Sequence, residues 1–141
     1  MAIGIPSGYI EDSWSKISPM IESVFTRFPR AGWSIDDVRF ALEDRDMQLW
    51  ADSLEDTKLI AITRVIKHPQ ASECWVWLGS GETDENLMSH LQDIEDWAQH
   101  IGCNSVVLQG RMGWLKKLKG WGEPQILIRK NLEQDYDSKI H

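Results

Sequence analysis

The chain has 141 residues, enough for about one domain with a real core, and its 42% hydrophobic and 26% charged content is ordinary for a globular protein. A formal net charge of −7 argues against nucleic-acid or anionic-membrane binding, which need a dominant positive field, and no apolar run approaches the ~20 residues of a membrane span. Two cysteines cannot build a disulfide framework and Met1–Pro6 lacks the basic and apolar parts of a signal peptide, so a reducing, cytoplasmic setting is expected.

From Tyr9 to Phe28, Ile10, Trp14, Ile17, Ile21, Val24, Phe25 and Phe28 recur at helical steps, which predicts a helix with one core-facing side. Pro19 inside it is expected to kink the helix or to start a second segment. After the turn Pro29-Arg30-Ala31-Gly32, Ser34 caps a second helix with Asp36 and Asp37 in its first turn, where the helix dipole favours carboxylates. Val38, Ala41 and Leu42 face its core side, and Glu43-Asp44-Arg45-Asp46 reads as its solvated end.

Met47–Ala51 and Lys58–Lys67 read as strands joined by a hairpin loop at Leu54–Thr57. Leu59-Ile60-Ala61-Ile62 is apolar on both faces, so the sheet should be covered on both sides. A third strand spans Glu73–Leu78, with Cys74, Val76 and Leu78 on one face and Trp75 and Trp77 on the other, and Gly79-Ser80-Gly81 ends it. The two tryptophans either lie under the N-terminal helices or form a partner surface. Thr83 caps a helix whose stripe is Leu87, Leu91, Ile94, Ala98 and Ile101, with Gly102 as its C-terminal stop. Ser105–Gln109 follows as a short buried strand, then a Gly-, Trp- and Lys-rich turn of helix, then a closing strand from Pro124 with Ile126-Leu127-Ile128 apolar on both faces. Trp50 and Trp97 fall at core positions, Cys74 and Cys103 read as small buried residues, and Glu133–His141 as a polar tail.

The order α-α-β-β-β-α-β-α-β, an antiparallel meander passing into a helix and a parallel strand, resembles the GCN5-related N-acetyltransferase (GNAT) fold. Leu118-Lys119-Gly120-Trp121 looks like the Leu-Gly-Phe before the final strands of that family. Gln48-Leu49-Trp50, Gly110-Arg111-Met112-Gly113-Trp114 and the closing Gly-Trp look like a GNAT-like group encoded by tailed phages and prophages. The resemblance implies an α/β fold with a mixed, mainly antiparallel sheet and helices on both faces. It divides the chain into an N-terminal helical segment, 1–33, a GNAT-like domain, 34–131, and the tail, 132–141.

The resemblance also implies acetyl-CoA as cofactor, bound where the third strand meets the next helix: Leu78, Gly79, Ser80 and Gly81 would offer backbone groups, with Arg111 and Lys116 gripping phosphates from the opposite side. Glu73 is the candidate general base, with a water on backbone carbonyls as the alternative. Two departures stand out. The phosphate turn lacks its basic residue, and Glu82, Asp84 and Glu85 stand there instead; each would repel a phosphate charge by about 3–4 kcal/mol at 4–6 Å before screening. The tyrosine that many relatives use to protonate the thiolate is absent, since the chain's tyrosines, Tyr9 and Tyr136, lie outside the matching region. No histidine or cysteine spacing suggests a metal. Two alternatives stay open: an acetyl-CoA-dependent N-acetyltransferase acting on an amine, or a non-catalytic phage protein using the scaffold to bind a protein partner in the host cell, in an oligomer or in a virion.

Overall fold

The computed structural model describes residues 2–27, 32–81, 87–109, 118, 120–130 and 132, with Leu87 described in its backbone alone. It separates into two compact units, Met1–Arg111 and Met112–His141.

In the first unit the elements are β1 (Ile3–Ile5), a 3-10 turn at Ser7–Tyr9, α1 (Ile10–Arg27), α2 (Ile35–Glu43), β2 (Gln48–Ala51), β3 (Leu59–Lys67), β4 (Ser72–Gly81), α3 (Leu87–His100) and β5 (Ser105–Leu108). The sheet order is β1-β2-β3-β4-β5, antiparallel as far as β4 and parallel between β4 and β5. Alternation places Leu49, Ala51, Ile60 and Ile62 on one face, where they form a core with Ile10, Ile17, Ile21 and Val24 of α1 and Val38, Ala41 and Leu42 of α2. Trp50, Ala61 and Thr63 point to the other face. There Trp50 meets Trp97 of α3 edge to face at 5.3 Å and donates from Nε1 to the buried Thr63 hydroxyl at 3.0 Å. Thr63 donates onward to Gln48 Oε1 at 2.9 Å, so this buried hydroxyl is fully paired. Both faces are covered, as the apolar run in β3 requires.

Pro19 lies inside an uninterrupted α1 and does not start a second segment. It sits on the exposed side, as does Ser15, whose carbonyl the missing N–H would have engaged, so water can serve that group. Ser34 caps α2 as expected: its hydroxyl accepts from Asp37 N at 3.1 Å, and Asp37 Oδ2 accepts from Ser34 N at 2.9 Å. The hairpin loop after β2 is closed by Asp52 Oδ1, which accepts from Lys58 N and Leu59 N at 3.0 Å each. Gly102, at φ +96°, ends α3 in the left-handed region.

Four expectations are corrected. β1 precedes the helices, pairing Ile3–Ile5 with Ala51–Leu49; three residues with a central glycine carry too little alternation to read. Gly79-Ser80-Gly81 belongs to β4, opposite Ala61, Ile60 and Leu59, and does not form a turn. β5 is half-buried, since among the described residues it has a strand neighbour on one side only. In the second unit, 121–130 is neither helix nor strand, and Ile126, Leu127 and Ile128 are 87%, 62% and 89% exposed. A β-favouring sequence becomes a strand only with a ladder partner, and 124–130 has none among the described residues. Trp121 N donates to Leu118 O at 3.4 Å around Gly120, whose φ is +83°.

Candidate active site

The geometry that could serve a ligand begins at an irregularity in β4. Its register with β3 shifts between Ile62 and Thr63: Ile62 faces Leu78 and Thr63 faces Val76, which leaves Trp77 out of the ladder. The bulge sends Leu78 to the same face as Ile62 and separates it from Val76, contrary to simple alternation. Trp77, 5% exposed, joins Leu78 in the core under the N-terminal helices. Of the two alternatives for this residue, cover by the helices is the one realised; Trp75 is half-buried.

The same bulge marks where β4 loses its parallel neighbour. Glu73–Val76 pair with Ser105–Leu108, whereas Trp77–Gly81 have β3 on one side and no strand on the other among the described residues. Among the described residues this is about 16 Å of strand with β3 as its one strand partner, so backbone N–H and C=O groups on the other side have no strand partner there. Gly81 is dictated by the protein itself: a Cβ there would collide with Leu59 Cδ1 and lie 3.0 Å from Leu59 Cα. Gly79 is not: the nearest atom to a Cβ would be Ile60 O at 3.9 Å. The sheet face at Gly79 therefore has room, among the described residues, that packing does not use.

Glu73 sits six residues before Gly79, about 20 Å along the strand, at the closed end of the β4–β5 pair. Its Oε1 is 2.6 Å from His68 Nε2 and accepts from Trp75 Nε1 at 3.4 Å. The His68 hydrogen bond, followed by that of Trp75, holds the carboxyl below its usual range, so Glu73 is a weakened base occupied by a clasp across the β3–β4 turn. Cys74 is fully buried, and burial, with Cys103 next in effect, pushes its thiol up to about 12; it is no nucleophile. Tyr9 is 59% exposed in the turn before α1. No metal-holding group of His, Cys, Asp and Glu occurs among the described residues. Glu82–Asn86, Arg111, Trp114, Lys116, Lys117 and Lys119, with the expected cap Thr83 and the acidic turn, lie outside the described residues.

A second hollow of about 430 Å³ lies along α2, lined by Gly32, Trp33, Asp37, Phe40, Ala41, Asp44 and Asp46. Its carboxylates rule it out as a seat for a polyphosphate. Neither the position of Trp33 nor the bulge at Trp77 is marked by a local pattern in the sequence. Cys74-Trp75-Val76-Trp77-Leu78 is an unbroken apolar run, which marks cover on both faces of β4 but not a skipped residue.

No protein-family model matches the chain, and no curated protein matches it. Solved structures do match. An aminoglycoside acetyltransferase from an uncultured soil metagenomic sample, in complex with sisomicin, superposes with a TM-score of 0.72 at 10% identity, over 94% of this chain and 95% of that one. A ribosomal-protein-alanine N-acetyltransferase from Brucella melitensis biovar Abortus 2308 gives 0.63 at 12% identity, over 92% and 99%. A Trypanosoma brucei acetyltransferase gives 0.65 at 11% identity, over 94% and 99%. The fold is GNAT-like. At these identities the likeness establishes the GNAT architecture, a mixed and mainly antiparallel sheet between helices, and leaves the chemistry to the residues.

Proposed function

We propose that this GNAT-like protein binds acetyl-CoA in the opening between β4 and β5 and transfers the acetyl group to an amine. The observation that carries the reading is the β4 edge after the Trp77 bulge, which has no second strand partner among the described residues, with space at Gly79. The residues there fit a thioester cofactor: Leu78, Gly79, Ser80 and Gly81 would hold it through backbone groups, much as a sheet edge takes an added strand. When bound, acetyl-CoA supplies an activated acyl group with a thiolate leaving group. The chain's part is to orient it and to leave room at Gly79. Arg111 and Lys116 enter this reading as partners of the phosphates, from sequence alone. A water on backbone carbonyls is the better proton acceptor, because the Glu73 carboxylate is already engaged by His68. A phage or prophage source rests on the segments Gln48-Leu49-Trp50 and Gly110–Trp114.

The second reading, a scaffold that binds a protein partner without catalysis, is favoured by the carboxylates that follow Gly81 directly, Glu82, Asp84 and Glu85. Calorimetry with acetyl-CoA, with desulfo- and dephospho-CoA as controls, separates the two. Micromolar affinity that depends on the phosphates is the expected result, and acceptor amines would be sought next. No heat at millimolar cofactor would end the enzymatic reading and direct attention to protein partners.

A further inference from the structure

A chain of ring contacts surrounds the bulge at which the β4–β5 pairing ends. The Trp77 ring meets Phe25 of α1 edge-on at 6.1 Å and Trp33, just before α2, at 5.1 Å with the planes tilted by 58°. The Arg64 guanidinium of β3 lies 5.5 Å from the centre of the Trp33 ring. Arg64 faces Trp75 in the β3–β4 register, two residues before the bulged Trp77. A bulge leaves one residue out of the ladder, and here the displaced side chain is taken up between rings from two other elements. The chain's entry into α2 is held by the Ser34–Asp37 capping box, which sets the backbone immediately after Trp33.

We propose that Trp33 is a positioning residue for the crevice: in ring contact with Trp77 and with the Arg64 guanidinium over its ring, it holds the β4 bulge in the shape in which the strand leaves its pairing with β5. The effect on cofactor binding rests on the acetyl-CoA reading above; the effect on the strand does not. Trp33 and Arg64 are half-buried, so their replacement does not hollow out the deep core.

Amide hydrogen exchange by NMR on Trp33→Ala, Trp33→Phe and Arg64→Gln, together with acetyl-CoA titration of each, tests this. In Trp33→Ala, exchange at Trp77, Leu78 and Gly79 should rise about three- to tenfold more than at Leu49 and Trp50, with a similar loss of acetyl-CoA affinity. Trp33→Phe should restore most of both, and Arg64→Gln should show a smaller loss of the same pattern. Unchanged exchange at Trp77 and Leu78, or an equal rise across the whole sheet, would overturn the proposal, the second outcome marking Trp33 as merely stabilising. Should Trp33→Ala fail to fold, Arg64→Gln decides: a local rise at the bulge supports the stack and its absence refutes it. If the wild-type protein binds no acetyl-CoA, the functional reading falls, while the exchange pattern still judges the positioning role.

Discussion

Gly79 and Gly81 lie two positions apart in β4, yet they are glycine for different reasons. Leu59 excludes any side chain at 81, so Gly81→Ala should lower stability by about 1–3 kcal/mol in urea denaturation. Among the described residues the nearest atom to a side chain at 79 is Ile60 O at 3.9 Å, so Gly79→Ala should unfold at nearly the wild-type midpoint. On the acetyl-CoA reading, Gly79→Val should then weaken acetyl-CoA at least tenfold by calorimetry, because it fills space that packing does not use. Glu73 makes a different test. Its carboxyl is held below its ordinary value of 4.5 in the folded protein, chiefly by His68, so the clasp stabilises the fold above about pH 4.5. That contribution fades as pH falls through the depressed folded value. Urea midpoints measured from pH 3 to 7 should therefore converge for wild type and Glu73→Gln at the acid end and separate above it.

At the level of elements, the local sequence favours α2 and works against α1. Ser34→Ala should cost about 1 kcal/mol by removing a cap whose bonds are all formed. Pro19→Ala should raise the thermal midpoint, by about 1–3 kcal/mol of stability, because it returns an N–H to a helix that already runs through the proline. The helices were legible because apolar spacing and capping are local signals: Ile10 through Val24, Ser34 with Asp37, and Leu91-Ile94-Ala98 each announce themselves. The meander was legible for the same reason. The bulge was not, because alternation assumes an unbroken ladder, and one skipped residue at Trp77 moves Leu78 to the opposite face. Nor was β1, whose three residues are strand only through pairing with β2. In the candidate site, the sequence places Gly79 and Gly81 in a turn, whereas both lie in β4. Their strand conformation follows from Ala61, Ile60 and Leu59 opposite them, and Trp33 enters the site through a stack that no spacing encodes.

For the whole molecule, the charge of −7 opposes a polyanionic cofactor, so binding that depends on the phosphates needs local attraction to outweigh it. Screening weakens such attraction, so on the acetyl-CoA reading affinity should fall as ionic strength goes from about 20 to 200 mM. A rise instead would mean that the net charge and the carboxylates after Gly81 dominate, which counts against Arg111 and Lys116 as phosphate partners. The sheet also ends with care on its far side. β1 is only three residues long, packs Gly4 against the Trp50 indole, and is moored by Ala2 N donating to Asp93 Oδ2 at 2.7 Å. An edge that short offers little backbone for another sheet to extend, so β1 works as a selvedge that keeps molecules from zipping together. Removing residues 1–5 would bare Gln48–Ala51, and concentration-dependent light scattering should then rise while the helices keep their circular dichroism.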